Sequence, residues 1–395
     1  MVPQGDRRPS LKVVDVTEFY SERGGGIRSH LTTRGHFLCQ LGHDHTVVAP
    51  GPKDEETEAY ASIAPDGRTA TAKVVRVKGM SLPYDRTYHL LGRLDKIRAR
   101  VRAERPDVIE AHSPYLGAMA VLASGRPDGG LRTAFWHADH VGTYLEPRIG
   151  SLARAFNPLV RRLLAPFDAT FVAGLAQASK LRALGVKNVE HVPFGVDRAT
   201  FRPEARSQEA RNRLLDGAPQ DCAVLVGVGR LAFEKRWDVL LEAFARLRTT
   251  QPAILVLLGD GPERERLKRL APPGVRFAGF ERDRARLAAA MASADVLVHA
   301  CPYETFGLGV AEAVACGLPV VVPDHGGARE SVAAESAEIY ESLSATACAA
   351  AVGRILRREL LALRAGAREA AAHVPTPEDH VARVVSIYDA MRRAC

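Results

Sequence analysis

The sequence lacks the features that mark membrane-spanning, secreted and disulfide-bonded proteins. No stretch of the 395 residues approaches the roughly 18 continuous apolar residues that span a bilayer. Residues 1–10 lack the apolar core of a secretory signal peptide, and we expect them to form a disordered leader. The six cysteines are scattered and include no CxxC pair. The sequence therefore predicts neither a disulfide framework nor a zinc site, and it favours a reducing cytoplasm.

The composition that remains is that of an ordinary globular protein. Hydrophobic residues make up 46% of the chain and charged residues 25%, both typical values. The length exceeds what one hydrophobic core usually holds, so we expect two domains. The formal net charge of +8 is compatible with a polyanionic partner or an anionic membrane surface. Because no nucleic-acid-binding motif accompanies this charge, we expect no nucleic-acid partner, and a diphosphate-binding cleft would account for part of it.

Short runs rich in β-branched residues alternate with longer helical stretches along almost the whole chain. This alternation predicts parallel sheets with helices on both faces. Two sets of strands predict an α/β fold of two doubly wound domains, which bind ligands beyond the carboxyl ends of their strands. The strands are predicted at 13–16, 46–49, 74–77, 107–110, 133–136 and 169–172 in the first half, and at 223–228, 254–257, 275–277, 295–298 and 319–322 in the second.

Two glutamates, Glu304 and Glu312, stand eight positions apart between the predicted strand 295–298 and a predicted helix. The Ala-rich pattern predicts that this helix begins at Gly307 and ends near Gly317. Glu304 then lies in the loop, with Glu312 about two turns into the helix and roughly 12 Å away along its axis. A helix N-terminus binds anions. The two carboxylates could therefore hold hydroxyls at both ends of a sugar–diphosphate–ribose ligand.

With the strand before it, Phe306-Gly307-Leu308 within it and an Ala-Cys-Gly-Leu-Pro-Val-Val run after it, this motif resembles the donor site of the GT-B glycosyltransferases. The resemblance is closest to the retaining group called family 4, and it covers nearly all of residues 11–390. It implies two Rossmann-like domains that face each other across a cleft. It also implies that Glu304 holds the hydroxyls of the donor sugar, that Glu312 holds those of the ribose, and that the Phe-Gly-Leu triplet belongs to the donor site.

The domain boundary is expected in the Pro- and Gly-containing stretch 192–203. This stretch is similar to the Pro-x-Gly-Val-Asp-x-x-x-Phe-x-Pro hinge of the family. The resemblance implies an acceptor-side domain at 11–195 and a nucleotide-sugar donor domain at 196–375. It also implies a last helix, at 376–395, that crosses back to the first domain.

The segment from Gly229 to Lys235 is similar to the Gly-Arg-Leu-x-x-x-Lys segment of the family. Arg230, as a fork of donors, and Lys235, as a point charge, would meet the two phosphates of the donor. Taken alone, the two charges could equally be solvated side chains at a helix start. Gly259 and Phe280 lie in strand-to-loop turns that resemble the nucleotide pocket of the family, although both turns could be purely structural.

The Gly-rich loop that contains Gly25 and Gly26 follows the first predicted strand and opens a helix. Such a loop can bring backbone N–H groups onto a phosphate, but a lone glycine cluster is weak evidence. In the family this loop closes on the donor diphosphate, so Gly25 and Gly26 are expected at the donor site.

Three polar residues of the first half follow predicted strands and are candidates for the acceptor side. The resemblance places His112 near the transferred sugar and facing the cleft, and it places His137 and Asp139 on the acceptor side. His137, Asp139 and His140 together look like a metal site, but neighbouring residues of one strand end point in different directions. Members of the family generally need no divalent metal for the donor phosphate, so no metal or other cofactor is expected. His112 could instead be a buried structural histidine.

The segment 152–164 mixes basic and apolar residues. A basic amphipathic helix can lie on an anionic membrane, and several members of the family use lipid acceptors. Pro158 interrupts the segment, however, and a helix packed within the domain needs no membrane. Both interpretations stay open.

The resemblance implies an enzyme that transfers a hexosyl group, with retention, from a UDP- or GDP-linked sugar. The acceptor would be a hydroxyl or thiol of a glycan, a lipid or a small natural product. A sugar-nucleotide 2-epimerase and a non-catalytic, nucleotide-sugar-binding partner subunit are the alternatives. The enzyme is expected in the cytoplasm, with peripheral contact to the inner face of the membrane as a possibility.

Overall fold

The structure is a computed structural model that describes residues 10–21, 26–64, 66–82, 86–139 and 141–394. The first half of the chain forms an eight-stranded sheet, with strands β1 Lys12–Val16, β2 Asp44–Gly51, β3 Glu55–Ile63, β4 Thr69–Lys78, β5 Val108–Ala111, β6 Leu131–Trp136, β7 Ala169–Val172 and β8 Val189–His191. The strand order is β3-β4-β2-β1-β5-β6-β7-β8. Neighbouring strands are parallel, except that β3 is antiparallel to β4.

The second half forms a six-stranded parallel sheet, with strands β9 Ala223–Val228, β10 Ala253–Leu258, β11 Val275–Gly279, β12 Val296–Val298, β13 Val320–Pro323 and β14 Ala337–Tyr340. The strand order is β11-β10-β9-β12-β13-β14. In each sheet, the first strand of that half of the chain (β1 or β9) lies near the centre, and the direction of the strand order reverses next to it. The predicted fold of two doubly wound α/β units is confirmed.

Helices connect the strands. Those of the first half are α1 Gly26–Gln40, α2 Leu94–Glu104, α3 Leu116–Ser124, α4 Glu146–Ile149, α5 Asn157–Leu164 and α6 Leu175–Ala183. Those of the second half are α7 Gln208–Leu215, α8 Trp237–Leu247, α9 Arg264–Leu270, α10 Arg284–Ser293, α11 Leu308–Ala315, α12 Ala345–Leu356, α13 Leu360–Ala372 and α14 Pro377–Ala394. Within the described residues, no helix is both long enough and apolar enough to cross a bilayer.

Three strands, β3, β8 and β14, were absent from the sequence-based prediction. Strand β3 is an edge strand whose side chains are mostly exposed, so it carries charged residues where a buried strand would carry apolar ones. Strand β8 has only three residues and β14 only four. Each contains a glutamate, so neither shows the continuous apolar run that marks the equally short β12.

The last helix, α14, leaves the second half and packs against α1 and β6 of the first. Its Tyr388 is fully buried and donates its hydroxyl to Glu110 at 2.7 Å. The turn before the helix is tied to the linker, since the N–H of Val196 donates to the carbonyl of Pro375 at 2.9 Å.

The carboxyl ends of the two sheets face each other. The hydroxyl of Thr305, which follows β12, donates to the carbonyl of His137, which follows β6, at 2.7 Å. Beside this contact, the Glu330 carboxylate accepts the N–H groups of Leu175 and Ala176 at 2.6 and 2.9 Å. Glu330 thus caps the N-terminus of α6 from the opposite domain. Residues beyond the strand ends of both sheets therefore share one region.

Candidate active site

The strand–loop–helix unit around the two glutamates is formed by β12, the loop 299–307 and α11. Gly307 is the N-cap of α11 with φ of 84°, in the left-handed region that glycine tolerates best. A Cβ there would lie 2.7 Å from the Cα of Ala328, so only glycine fits this turn. The helix begins at Leu308 and has eight residues. Glu312 therefore lies in its second turn, nearer the N-terminus than the expected two turns.

Glu304 and Lys235 are brought together at the start of this unit. The ammonium Nζ of Lys235 contacts the Oε1 of Glu304, although 69 residues separate them. The imidazole Nε2 of His299 lies 3.7 Å from the same oxygen. Burial by itself would raise the pKa of Glu304, but the charge of Lys235 outweighs it and lowers that pKa. The carboxylate is thus ionised, and a cation stands beside it.

Arg230 lies in the loop after β9, the strand next to β12 in the sheet. The start of this loop approaches α11, since an added Cβ on Gly309, in the first turn of α11, would lie 3.9 Å from the carbonyl oxygen of Val228. The Arg230 carbonyl accepts the indole N–H of Trp237 at 2.9 Å, which fixes the backbone. Its guanidinium lies over the ring of Tyr88, 5.2 Å from the centroid. Tyr88 belongs to the first half, so Arg230 lies where the two halves meet.

The predicted nucleotide loops stack tightly upon one another. A Cβ on Gly259 would lie 1.9 Å from the carbonyl oxygen of Gly229, so the two turns can approach only because residue 259 is glycine. The N–H of Gly259 donates to the carbonyl of Gly279 at 2.8 Å. The next residue, Phe280, is 54% exposed. An exposed aromatic ring beside a closely packed glycine turn is suited to a planar ligand.

Glu312 is 6% exposed, and its carboxylate accepts from the guanidinium of Arg284 at 2.9 Å. Burial raises the pKa of Glu312, and the charge of Arg284 only partly offsets this. Sequence reasoning missed Arg284, the first residue of α10, because its partner lies 28 residues away. Only the packing of α10 against α11 shows the pair.

Phe306 does not present its ring to an open cleft. The ring is 6% exposed and meets Phe194 of the linker edge-on, with ring centroids 5.5 Å apart. Leu308, at the first position of α11, packs against the same core cluster. The Phe-Gly-Leu triplet therefore anchors the loop in the core between the domains, and its main chain rather than its phenyl ring is available to a ligand.

A cluster of buried charges lies below the carboxyl end of the first sheet. Arg34 of α1 contacts Asp15 at 3.1 Å and Glu110 at 3.0 Å, and none of the three side chains is more than 1% exposed. The Nε2 of His112 lies 3.3 Å from Asp15 and 3.2 Å from Glu110. Burial would lower the pKa of His112, but Asp15 and Glu110 raise it. The arginine guanidinium also donates to Tyr388 of α14 at 2.5 Å.

The expectation that His112 faces the cleft is wrong, because its side chain is fully enclosed. His137 stands between it and the interface. The Nδ1 of His112 and the Nε2 of His137 are 2.7 Å apart. Burial and the neighbouring His112 lower the pKa of His137, which favours the neutral form of His137 in this contact. His112 can reach a ligand only through His137.

Asp139 is engaged in structural contacts. Its Oδ1 accepts the N–H of Gly142 at 3.0 Å, and its Oδ2 pairs with Lys180 of α6. The carboxylate is almost entirely buried, so it holds the turn after β6. Of the other predicted site residues, Gly26 begins α1, whereas Gly25 and His140 lie outside the described residues.

Similarity to known proteins covers both halves of the chain. The family described as "Glycosyltransferase Family 4" matches residues 24–200, and "Glycosyl transferases group 1" matches residues 212–374. A GDP-mannose-dependent alpha-(1-6)-phosphatidylinositol dimannoside mannosyltransferase of Mycobacterium tuberculosis is 31% identical over 331 residues, covering 82% of this chain and 83% of the relative. A GDP-mannose-dependent alpha-mannosyltransferase of the same species is 33% identical over 326 residues, covering 82% and 81%.

The chain belongs to the family 4 glycosyltransferases. The sucrose-phosphate synthase of Thermosynechococcus elongatus superposes with a TM-score of 0.78 at 19% identity, covering 97% of this chain and 100% of that one. HepE of Anabaena, solved with UDP and glucose, superposes with a TM-score of 0.71 at 17% identity, covering 96% and 100%. At these identities the match concerns the fold alone, and it confirms the predicted GT-B architecture.

Three groups of residues in the described parts of this glycosyltransferase bring metal-ligating atoms within 4.8 Å of one another. They are His30, His112 and His137; His299, Cys301 and Glu304; and Asp15, Glu110 and His112. In the second group Glu304 already pairs with the ammonium of Lys235, and in the third the carboxylates already pair with Arg34. Side-chain cations thus supply positive charge at both places.

Proposed function

We propose that this glycosyltransferase moves a hexosyl group, with retention, from a UDP- or GDP-linked sugar to a hydroxyl or thiol of a lipid, glycan or small-molecule acceptor. The observation that carries the proposal is the pairing of Lys235 with Glu304 at the N-terminal end of α11, beside Arg230. Two cations and a helix N-terminus are suited to a diphosphate. The adjacent carboxylate is suited to sugar hydroxyls.

Among donors we favour GDP-mannose, since several relatives are named as GDP-mannose-dependent. The stacked turns at Gly229 and Gly259 lie beside Phe280, and the exposed ring of Phe280 would stack on the base. Glu312 would hold the ribose hydroxyls, with Arg284 as the partner of its carboxylate. Gly26, at the start of α1, and the preceding Gly25 would contact the diphosphate.

The proposed chemistry is electrostatic. As the bond to the donor phosphate breaks, charge builds on the diphosphate, and Arg230, Lys235 and the N-terminus of α11 stabilise it. Lys235 would exchange Glu304 for a phosphate oxygen, and Glu304 would turn to the sugar hydroxyls. Since the side chains supply this positive charge, we propose that no divalent metal or other cofactor is needed.

Retention requires the acceptor to attack from the face that the diphosphate leaves. A donor phosphate oxygen is then the nearest base, so we assign no protein group to that role. GDP-mannose is an alpha-linked donor, so an alpha-linked product means that the anomeric configuration is retained. Relatives are named for alpha products. His137, supported by its contact with His112, would contact the transferred sugar or the acceptor. Asp139 would hold the turn after β6 that follows His137.

The division of labour follows the two sheets. We propose an acceptor-side domain at 11–195, a donor domain at 196–375 and a last helix at 376–395 that ties the second to the first. A lipid acceptor would place the first domain at a membrane surface, so we propose a cytoplasmic enzyme with peripheral membrane contact.

A nucleotide panel tests the proposed donor site. UDP, GDP, ADP and dTDP are compared for thermal stabilisation of the purified chain in excess EDTA, and we expect GDP to stabilise most. A ligand at 100 times its dissociation constant adds about 2.7 kcal/mol to stability. Stabilisation by none of the four would contradict the donor site. Stabilisation that appears only after Mn²⁺ or Mg²⁺ is added would contradict metal independence.

A further inference from the structure

The crossover between β6 and β7 exposes apolar side chains that the proposed chemistry does not use. We propose that this surface docks on an anionic lipid bilayer. This inference rests on the proposed function, because docking would bring the active site to a lipid acceptor. We call it the arginine–leucine face, and it consists of Leu152, Phe156, Leu159, Arg154, Arg161 and Arg162.

The segment 150–164 has two sets of apolar side chains. A short 3-10 turn, Gly150–Phe156, runs directly into α5. Ala153, Val160 and Leu164 are buried against the domain. The second set lies at the surface, with Leu152 72% exposed, Phe156 42% and Leu159 48%. Because the buried set already fastens the segment to the domain, the exposed set is not needed for folding.

The charges within this segment are all of one sign. Between Glu146 and Asp168, which border it in the sequence, residues 147–167 contain four arginines, Arg148, Arg154, Arg161 and Arg162, and neither aspartate nor glutamate. Arg154, Arg161 and Arg162 are exposed. Arginine side chains can lay their methylene groups along apolar surface while the guanidinium reaches lipid phosphates. A basic face with leucine and phenylalanine between its charges is the composition that binds anionic interfaces.

The position of the face connects it with the site. The segment follows His137 and the Asp139 turn. Two residues before it, the guanidinium of Arg148 lies 5.3 Å from the ring centroid of Phe233 in the second domain. Phe233 in turn lies two residues before Lys235. A membrane on the arginine–leucine face would therefore contact the same crossover that meets the donor-side loop.

A second copy of the chain is a poorer occupant. A two-fold contact places the same patch on both partners, and arginines would then face arginines with no acidic residue in the segment to pair with them. An anionic bilayer supplies the missing charge. It also accepts side chains without requiring shape complementarity.

Vesicle co-sedimentation tests the proposal with the full chain. The vesicles are phosphatidylcholine alone, or phosphatidylcholine with phosphatidylglycerol, an anionic lipid that separates charge from acceptor recognition. We expect binding to the anionic vesicles only, weakened by salt. Each arginine contributes about a fivefold factor in binding, so Arg154→Gln/Arg161→Gln/Arg162→Gln should lower it on the order of 100-fold. Leu152→Ser/Phe156→Ser should also weaken it.

Matched control variants are Leu361→Ser, which removes an apolar side chain that is 73% exposed, and Arg269→Gln, on the exposed side of α9. Both should bind vesicles like the unmodified chain. Stabilisation by GDP is measured for every variant. This checks, independently of vesicle binding, that the variant is folded and that its donor site is intact. Failure of GDP to stabilise any form counts against the proposed function, whatever the vesicles show.

Three results would overturn the docking surface while leaving the donor site intact. One is equal binding to neutral and anionic vesicles. Another is unchanged binding by the arginine and the leucine–phenylalanine variants. The third is a dimer in solution that these variants dissociate, which would assign the face to a second copy of the chain.

Discussion

The two domains each hold a cluster of opposite charges near their strand ends, but the clusters differ in access to water. In the first domain Asp15, Arg34 and Glu110 are at most 1% exposed and are bound only by protein groups. In the second, Lys235 is 23% exposed and Glu304 20%. A fully enclosed ion pair cannot change partners without local unfolding, whereas a partly exposed pair can exchange its partner for a ligand. The first cluster is therefore expected to support structure and the second to bind substrate.

The largest effect is expected for Arg34→Met. Removing the guanidinium leaves the buried carboxylates of Asp15 and Glu110 without their arginine partner, which costs about 3–5 kcal/mol. Urea denaturation measures the loss. The control is Arg246→Ala, which breaks an exposed pair with Glu242 and should cost no more than about 0.5 kcal/mol. Equal midpoints for the two variants would show that the buried cluster does not support the fold.

Lys235→Ala should have the opposite signature, with a large loss of rate and a small loss of stability. The ammonium interacts more strongly as the leaving diphosphate gains charge, so kcat should fall on the order of 100-fold or more. Glu304 stays partly hydrated, which limits the effect on folding. Lys268→Ala, which removes an exposed partner of Glu265, is the control. Turnover near the unmodified rate in both Lys235→Ala and Arg230→Ala would place the phosphates elsewhere.

Tyr388→Phe asks how far the last helix contributes to the buried cluster. The hydroxyl accepts from Arg34 at 2.5 Å and donates to Glu110 at 2.7 Å. Its removal takes one hydrogen-bond partner from Arg34 and one from Glu110, which should lower the free energy of unfolding by about 1.5–3 kcal/mol. Urea denaturation should show this loss at nearly unchanged affinity for GDP. A loss of GDP affinity as large as the loss of stability would mean that the two clusters are not independent.

The smallest effect concerns pH and Glu18, which follows β1 and is 8% exposed. Burial raises the pKa of Glu18 from 4.5 to about 6, against hydrogen bonds from Ser113, Leu116 and Gly117. The folded state therefore keeps a proton that the unfolded state releases, and stability falls as pH rises from about 4.5 to about 6. The penalty above that window is about 2 kcal/mol.

Glu18→Gln removes this penalty. Relative to the unmodified chain, the variant should gain about 2 kcal/mol between pH 4.5 and pH 7, measured by urea denaturation at both values. A stability difference between the two proteins that is the same at both pH values would show that Glu18 does not titrate in this window.

The sequence was sufficient wherever a local pattern determines structure. Buried strands such as β9 and β10 carry continuous apolar runs, and the glycine at 307 marks the turn into α11. The exposed edge strand β3 has no such run and was missed. Local patterns also predicted that the loops of Glu304 and Arg230 lie side by side, because they follow the neighbouring strands β12 and β9.

Partners distant in sequence could not be predicted. Arg34 lies in a helix, where an arginine usually faces solvent, and its contact with Tyr388 joins residues 354 positions apart. The Arg284–Glu312 pair depends on how α10 packs against α11. His112 was expected in the cleft because it follows a strand, but the carboxylates of Asp15 and Glu110 enclose it. Such placements follow from tertiary packing and cannot be predicted from the pattern of neighbouring residues in the sequence.

The central claim is that Glu304 and Glu312 hold opposite ends of one ligand. Calorimetry with GDP, paired with donor turnover, measures both glutamates in one experiment. Glu312→Ala should weaken GDP by about 1.5–3 kcal/mol, since a charge-assisted hydrogen bond to the ribose is lost. Glu304→Ala should leave GDP affinity nearly intact, because the ammonium of Lys235 stays for the phosphates, while turnover of the donor falls severely. A loss of GDP affinity in Glu304→Ala as large as in Glu312→Ala would contradict this account.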